Sequence, residues 1–187
     1  MSNKLLPTGG NYKKLFCYQK AEAIYDITYF FCNKYLRRGD RTVDQMVQAA
    51  RSGKQNIVEG SAASSTSKET EIKLINVAKA SLHELLIDYE DFLRTRNHRQ
   101  WEMESVEMQK MRELGSKHNE TSFYMELIAS RPPETIANIA ICLIKQTDYL
   151  IANLLDRISK QFIQNGGMRE RMTRMRNEER IKNSRRD

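Results

Sequence analysis

The chain has 187 residues, a net charge of +7 and a pI of about 9.3, with three prolines, eight glycines and three cysteines. At roughly 150 residues per domain, this length predicts one domain with an appendage. A domain of this size can bury a hydrophobic core without the help of disulfide bonds. Cys17, Cys32 and Cys142 are odd in number, far apart and without a CxxC pair, which argues against a disulfide framework or a zinc knuckle. We expect them to be buried thiols in a reducing compartment.

No targeting or membrane segment is predicted. The first ten residues, MSNKLLPTGG, contain no apolar signal-peptide core. The most apolar stretch, residues 139–144, is followed at once by Lys145, Gln146 and Asp148, and it falls short of the ~20 residues that a membrane span needs. We therefore expect no membrane association and a cytoplasmic location.

The positive charge favours polyanionic partners or an acidic protein face, but it is unevenly distributed. Residues 166–187 hold seven arginines and one lysine against three glutamates and one aspartate. The body of the chain, residues 1–165, is therefore only mildly basic, and charge alone is weak evidence for nucleic-acid binding.

The first two predicted helices lie on either side of Gly39. The first covers residues 14–36, and its apolar stripe has helical spacing. That stripe contains Ile24, Ile27, Thr28, Phe31 and Tyr35. Asp40 or Thr42 caps the second helix. The second helix has small residues on its inner face, which let a neighbouring helix approach closely; they are Ala49, Ala50, Gly53 and Gly60.

The third helix begins at the capping-box sequence Thr66-Ser67-Lys68-Glu69. A clear core stripe follows, at Ile75, Ala78, Leu82, Leu85, Leu86, Tyr89 and Leu93. Arg94, Arg96 and Arg99 fall at or after its end, where cations complement the helix dipole.

The pattern weakens over residues 100–131, where an irregular helix at 101–114 and a short helix at 119–130 are predicted. Pro132-Pro133-Glu134 then starts the last long helix, and Asn165-Gly166-Gly167 stops it. Ala137, Ile141 and Tyr149 make this helix apolar on more than one face, so we expect a subunit neighbour to cover them as an oligomer interface.

Four long helices with short connections predict an all-α protein, an antiparallel up-and-down four-helix bundle with extra short helices. The bundle spans residues 14–165, with residues 100–131 inserted before the fourth helix. Residues 1–13 are predicted to be a flexible N-terminus. Residues 166–187 are predicted to be a basic tail, either disordered or a fraying helix.

Three stretches of the sequence together carry a family resemblance. They are Leu15-Phe16-Cys17-Tyr18-Gln19-Lys20-Ala21 followed by Ile24-Tyr25, Ala49-Ala50-Arg51-Ser52 followed by Asn56-Ile57-Val58-Glu59-Gly60, and Ala78-Lys79-Ala80-Ser81-Leu82-His83-Glu84-Leu85. In this order the chain resembles the four-helix-bundle proteins encoded in 23S rRNA intervening sequences, a group that includes the accessory variability proteins of diversity-generating retroelements. The likeness covers residues 12–95, with the fourth helix at about 134–163. The stretch from Gln100-Trp101-Glu102 to Met172 is similar to a C-terminal four-helix-bundle suffix region.

The resemblance implies a homopentameric, barrel-like assembly with a positively charged surface, which in the retroelement members binds a reverse transcriptase and nucleic acid. The sequence departs from the family pattern at four places. Tyr18 stands where the family often has Trp, Gln48 where it has Arg, Ser52-Gly53-Lys54 where it has Ser-Ile-Pro, and Ala80 where it has Gly. Arg51 and Lys54, near Gln48, are placed to compensate for the missing arginine.

Residue patterns typical of catalysis are not found. His83, His98 and His118 lack the Glu-x-x-His and His-Glu-x-x-His spacings of metal sites, and neither a phosphate loop nor a nucleophile elbow occurs. Glu84, Asp88 and Asp91 share one helix face, which either holds a cation or is a solvated acidic surface. We expect no enzymatic activity, no catalytic residues, no metal and no cofactor.

The best candidates for function are basic residues. The nucleic-acid-binding candidates are Arg37, Arg38, Arg41, Arg51, Lys54, Arg94, Arg96 and Arg99, with Trp101 as a stacking platform. In an up-and-down bundle the first turn and the end of the third helix lie at the same end, so these groups are expected to form one patch. The competing interpretation is an ordinary solvated rim.

Asn56 and Glu59 have two interpretations, a polar site near one end of the bundle or structural hydrogen bonds that fix one helix arrangement. For the whole chain, the leading hypothesis is a non-enzymatic oligomeric adaptor that binds RNA or a nucleoprotein such as a reverse transcriptase. The alternative is a purely structural protein–protein interaction module without nucleic-acid binding.

Overall fold

The computed structural model describes residues 11–37, 39–166 and 168–183. Within these residues the secondary structure is helical, without strands, and a single 3-10 turn at Tyr12–Lys14 precedes seven α-helices. The helices are α1 (Phe16–Tyr35), α2 (Arg41–Ala63), α3 (Lys68–Thr95), α4 (Val106–Lys117), α5 (Thr121–Ile128), α6 (Pro133–Asn165) and α7 (Met168–Asn183). The all-α prediction is confirmed. Residues 1–10, which belong to the N-terminus predicted to be flexible, lie outside the described residues.

The helices α1, α2, α3 and α6 form a four-helix bundle in which each packs against the next and α6 closes the ring against α1. Short connections make α1, α2 and α3 successively antiparallel. The ion pairs Lys79–Asp148 and Glu90–Lys145 show that α6 is antiparallel to α3. Phe31 packs at the centre, with its ring centroid 5.2 Å from that of Tyr89 and 4.8 Å from that of Phe92. The predicted stripe residues Ile24, Ile27 and Thr28 are fully buried with it.

The close approach of α2 and α3 rests on small residues, as the sequence predicts. A Cβ atom at Gly53 would lie 2.7 Å from Leu82 Cδ2, and one at Gly60 would lie 3.0 Å from Ile75 Cδ1. Ser52 and Ser81 share a hydrogen bond of 2.9 Å across the same interface. The α2–α3 contact is the most extensive in the bundle.

Side chains and glycine set the helix ends. The Asp40 carboxylate accepts a hydrogen bond of 2.9 Å from the Thr42 backbone N–H at the start of α2, as predicted. The cap of α3 is Ser67, whose hydroxyl accepts from the Thr70 N–H at 3.2 Å, so the cap lies one residue later than the Thr66 that the capping-box pattern indicates. Gly166, with φ of +68°, ends α6 as predicted.

The inserted region folds into a pair of short helices on the outside of the bundle. α4 packs against α6, and α5 packs against α1. Gln146 of α6 donates a hydrogen bond of 2.8 Å from Nε2 to the backbone oxygen of Arg112 in α4. α4 therefore covers part of α6, whereas α5 covers part of α1.

Burial within the single chain corrects two of the three predicted oligomer-interface residues. Ala137 and Ile141 have 0% of their surface exposed within the single chain, so they are not available to a subunit neighbour. The sequence pattern of a helix with a second apolar face does not show whether that face packs against another subunit or against another part of the same chain. Of the three predicted interface residues, Tyr149 alone is exposed, at 67%.

The basic tail forms the helix α7, one of the two alternatives left open by the sequence. In the described part of the chain, α7 has no extensive contact with any bundle helix. A polar helix of 16 residues gains little stability without packing. None of the described helices is long and apolar enough to cross a membrane.

Candidate nucleic-acid interface

The turn after α1 and the end of α3 meet at one end of the bundle, around Asp40. The pKa of the Asp40 carboxyl is lowered by hydrogen bonds from the backbone N–H and the side chain of Thr42, and further by the positive charges of Arg96 and Arg37. Two arginines that are far apart in sequence therefore act on one carboxylate. This is the juxtaposition that the up-and-down topology predicts.

Two further cations lie where the end of α1 contacts the connection between α5 and α6, Lys34 in α1 and Arg131 in the connection. Lys34 Nζ donates a hydrogen bond of 3.3 Å to the backbone oxygen of Ala129. The Tyr35 hydroxyl donates one of 3.0 Å to the backbone oxygen of Arg131. The exposed cations of this region are called the basic end, and they are Lys34, Arg37, Arg41, Arg94, Arg96, Arg99 and Arg131. Arg38, also predicted, lies outside the described residues.

The charges of the basic end are not equally available. Arg94 pairs with Asp91 at 2.6 Å, and Arg99 pairs with Glu107 at 3.4 Å. Arg96 instead lies over the Phe92 ring, 4.3 Å from its centroid. Among the described residues, Arg37, Arg41 and Arg96 have no carboxylate within 4.0 Å. Lys34 and Arg131 also have no ion pair in the described part of the chain, and Lys34 is hydrogen-bonded to Ala129.

A buried asparagine fixes the loop that carries Arg96 and Arg99. Asn138 of α6 has no exposed surface. Its Nδ2 donates to the backbone oxygens of Arg99 and Glu134, both at 2.9 Å, and its Oδ1 accepts from the Trp101 N–H at 2.7 Å. The amide thus satisfies three backbone groups of two segments. Its residue type and position gave no local signal of this role.

Trp101 is only partly available as the predicted stacking platform. Its backbone N–H is held by Asn138, and its side chain is half-buried against the hydrophobic core. Part of the indole remains accessible beside the basic end, and the rest supports the loop.

Arg51 and Lys54 lie away from the basic end, so the predicted single patch is divided. At 1.5 Å of rise per residue, they are about 15 and 20 Å from Arg41 along α2. Lys54 Nζ lies 4.3 Å from the centre of the Tyr25 ring, and its charge offsets part of the rise that burial causes in the pKa of Asp26. Lys54 therefore serves the α1–α2 contact, whereas Arg51 is exposed.

The two polar candidates of α2 differ in their surroundings. Asn56 Nδ2 donates to the backbone oxygen of Ser52 at 2.9 Å and to its hydroxyl at 3.1 Å, and that hydroxyl contacts Ser81 of α3. The hydrogen bonds of Asn56 thus lie within α2, and its structural interpretation stays a prediction. Glu59 is exposed, so its carboxylate is not a buried group that fixes the arrangement of the helices.

The remaining titratable clusters offer little chemistry. In the described residues, no group of three or more His, Cys, Asp and Glu side chains is arranged to hold a metal ion. His98 contacts Glu134 at 3.2 Å, and His118 stacks on Phe123 with centroids 3.8 Å apart. On the acidic face of α3, burial raises the pKa of Asp88, and the neighbouring charges of Asp91 and Glu84 raise it further.

Compared with protein-family models, curated protein sequences and solved structures, the chain gives no match.

Proposed function

We propose that this protein is a non-enzymatic helical-bundle adaptor whose basic end binds RNA, alone or within a nucleoprotein such as a reverse transcriptase complex. The observation that carries the proposal is the position of three exposed arginines at one end of the bundle, Arg37 after α1, Arg41 at the start of α2 and Arg96 at the end of α3. Arginine is suited to phosphate because its planar guanidinium donates two parallel hydrogen bonds.

The surroundings of these arginines favour a fixed binding surface. Asn138 holds the Arg96 loop against α6, so little ordering entropy is lost when a phosphate binds. Contacts of this kind are made to the nucleic-acid backbone and carry no sequence information. The proposed activity is therefore sequence-tolerant and strongly dependent on salt.

A second basic surface is available at the far end of the molecule. α6 begins beside the basic end and has 33 residues, so α7 follows about 50 Å away along its axis. Arg174, Arg176 and Arg180 are exposed on α7. An RNA that reached both surfaces would bind more tightly through effective concentration than either surface alone provides.

The family resemblance also supports an oligomer, by implication a homopentamer, in which copies of the basic end are repeated by symmetry. Since Ala137 and Ile141 are buried within the chain, that part of the proposal rests on the resemblance alone. Size-exclusion chromatography with light scattering measures the mass directly. A monomer at all concentrations would remove the oligomer and leave the binding surface to be tested separately.

The test of RNA binding is fluorescence anisotropy with a labelled single-stranded RNA, measured over a salt series from about 50 to 200 mM. We expect Arg41→Gln and Arg96→Gln each to weaken binding and to lower the salt slope by about one. Arg51→Gln is the matched control, because Arg51 is an exposed arginine of α2 outside the basic end, and it should leave both quantities unchanged.

Two results would overturn the nucleic-acid proposal. One is the lack of binding at low salt, or a salt slope near zero for the parent protein. The other is an equal loss in Arg51→Gln and in Arg96→Gln, which would indicate nonspecific attraction to net charge. Either result would favour the purely structural interaction module.

A further inference from the structure

A cavity of about 750 Å³ lies between the start of α1, the helix α4 and the middle of α6. Its volume is in the range of pockets that hold small molecules. Three cations line it, Lys20 from α1, Arg112 from α4 and Lys145 from α6. The cavity is separate from the basic end, since Lys20 and Lys34 are about 20 Å apart along α1.

Cys142 belongs to the same cavity lining as the three cations. Burial raises the pKa of the Cys142 thiol to about 11, and the charges of Arg112, Lys20 and Lys145 each act to lower it. All three are therefore close enough to influence one buried group. Positive charges brought together by three separate helices repel each other, so an anion between them would be stabilised.

Lys20 is the most enclosed of the three cations. It is buried, and its ammonium donates hydrogen bonds to the backbone oxygens of Gly115 and of His118, the latter at 3.3 Å. Burial lowers its pKa. An ammonium has three donors, and the two carbonyls leave one of them without an assigned acceptor. Neither Lys20 nor Arg112 has a carboxylate within 4.0 Å among the described residues.

Among the described residues, negative charge offsets this group only in part: Glu120, which lies outside the lining, acts to raise the pKa of Lys20 against the effect of burial. The one carboxylate in the lining, Glu113, is hydrogen-bonded by Lys117 at 2.5 Å. Lys145 forms an ion pair of 3.7 Å with Glu90, which lies outside the lining, so the lining itself has three cations and one carboxylate. The cavity therefore keeps an excess of positive charge.

The rest of the cavity is largely apolar, and its rim carries large exposed side chains. Phe16 is 59% exposed and Tyr149 is 67% exposed, and Met108 and Leu150 form part of the lining. Large apolar groups exposed together around a concavity are typical of a ligand site. An apolar chain lying between them would remove this surface from water.

We propose that this cavity binds a small amphipathic anion, a medium-chain carboxylate or phosphate monoester, with its head group among Lys20, Arg112 and Lys145. The apolar chain of the ligand extends along Met108 and Leu150 toward Phe16 and Tyr149. This inference stands independently of the RNA-binding proposal, because it concerns other residues and another class of ligand.

The experiment is isothermal titration calorimetry of the full chain with four probes, the two amphipathic anions below their critical micelle concentrations and dodecanol below its solubility limit. Dodecanoate and dodecyl phosphate carry both a charge and a chain, dodecanol carries only the chain, and acetate carries only a charge. We expect at least one of the two anions, dodecanoate or dodecyl phosphate, to bind saturably with one equivalent per chain. Dodecanol should bind at least about tenfold more weakly, and acetate should not saturate, because neither uses both parts of the site. The ratio of the two anions identifies the preferred head group.

Variants locate the binding in the cavity. The double variant Arg112→Gln/Lys145→Gln should lower the affinity for dodecanoate by at least about tenfold, because two of the three head-group cations are lost. The affinity for dodecanol should stay unchanged, because the contacts with its alkyl chain remain. Arg41→Gln with Arg96→Gln is the matched control, which removes two arginines from the basic end and should not change the affinity for dodecanoate. Circular dichroism checks that each variant is folded.

Three outcomes would overturn the proposal. They are equal affinity for dodecanol and dodecanoate, no saturable binding of either anionic probe, and an affinity for dodecanoate that the cavity variants leave unchanged. The comparison among probes uses only the parent protein, so it decides the matter even if the double variant does not fold. A stoichiometry well above one per chain would also count against it, because it would indicate adsorption to exposed apolar surface.

Discussion

The hydroxyl of Tyr89 in α3 donates a hydrogen bond of 3.0 Å to the hydroxyl of Thr28 in α1, and both side chains are fully buried. Thr28 in turn donates to the backbone oxygen of Ile24 at 2.7 Å. Burial raises the pKa of Tyr89, so its hydroxyl stays protonated and acts as a hydrogen-bond donor. This chain of two hydrogen bonds links α1 and α3 inside the core.

The direction of donation makes the two partners unequal. In Tyr89→Phe, Thr28 retains its bond to Ile24, and the free energy of unfolding should fall by about 0.5–1.5 kcal/mol. In Thr28→Val, the Tyr89 hydroxyl remains buried without an acceptor, and the loss should be larger, about 1–3 kcal/mol. Urea unfolding of the two variants measures the difference.

The double variant is the control for this pair. Because Tyr89→Phe removes the group that Thr28→Val leaves unsatisfied, the combined loss should be smaller than the sum of the single losses. Additive losses, or a smaller loss in Thr28→Val than in Tyr89→Phe, would show that the hydrogen bond is unimportant to stability.

The α2–α3 contact gives a second prediction, at Gly53. A Cβ atom there would lie 2.7 Å from both Cγ and Cδ2 of the buried Leu82, so Leu82 or the helices must move. Overpacking of this kind costs about 1–3 kcal/mol, which outweighs the gain of about 1 kcal/mol in helix propensity. Gly53→Ala should therefore lower the midpoint of thermal unfolding.

Gly60 is the matched control on the same helix face. A Cβ atom there would approach Ile75 Cδ1 at 3.0 Å and Cγ1 at 3.2 Å, which a small shift of that side chain relieves. Gly60→Ala should therefore be close to neutral, as the propensity gain offsets the contact. If both variants had the same stability, the close approach at Gly53 would not limit packing.

The Asn138 side chain gives a third prediction, which joins stability to binding. Asn138→Ala leaves the backbone groups of Arg99 and Trp101 without their partners, and we expect a loss of at least about 2 kcal/mol in the free energy of unfolding. The Arg96 loop should also become mobile, so RNA should bind more weakly at temperatures where the variant is still folded. Denaturation and anisotropy measure the two effects.

Asn76 provides the control for this substitution. It lies exposed on α3 and donates one hydrogen bond of 3.0 Å to the backbone oxygen of Ile72. Asn76→Ala should change stability by no more than about 0.5 kcal/mol and leave RNA binding unaltered. Equal losses in the two variants would contradict the role given to Asn138.

Local signals account for what the sequence predicts well. The spacing of Ile24, Ile27 and Phe31, the cap at Asp40 and the stop at Gly166 are each readable within one or two helical turns, and the structure has all of them. The meeting of Arg37 and Arg96 also followed, because antiparallel topology alone determines which turns share an end.

Long-range contacts account for what the sequence does not predict. The Lys20 ammonium bonds to carbonyls more than ninety residues away, and Asn138 holds a loop 37 to 39 residues earlier. Neither has a local pattern. Ala137 and Ile141 were misassigned for a related reason, since an apolar face does not specify what covers it. The cavity likewise exists only once α4 packs against α6.

The three thiols give the last prediction. Burial raises the pKa of Cys17 and of Cys142 to about 11, and that of Cys32 to about 12. The thiolate is the reactive form, and at pH 8 a group with a pKa of about 11 is ionised in roughly one molecule in a thousand. The native protein should therefore react slowly with a thiol reagent, followed by absorbance, whereas in urea all three thiols should react at once.

The pH dependence of the native labelling rate is a second measurement on the same thiols. Because ionisation increases with pH up to the pKa, this rate should rise about tenfold from pH 8 to pH 9 if thiolate formation in the folded state limits it. A rate independent of pH would show that opening of the bundle is limiting, and rapid labelling at pH 8 without urea would contradict the burial of these side chains.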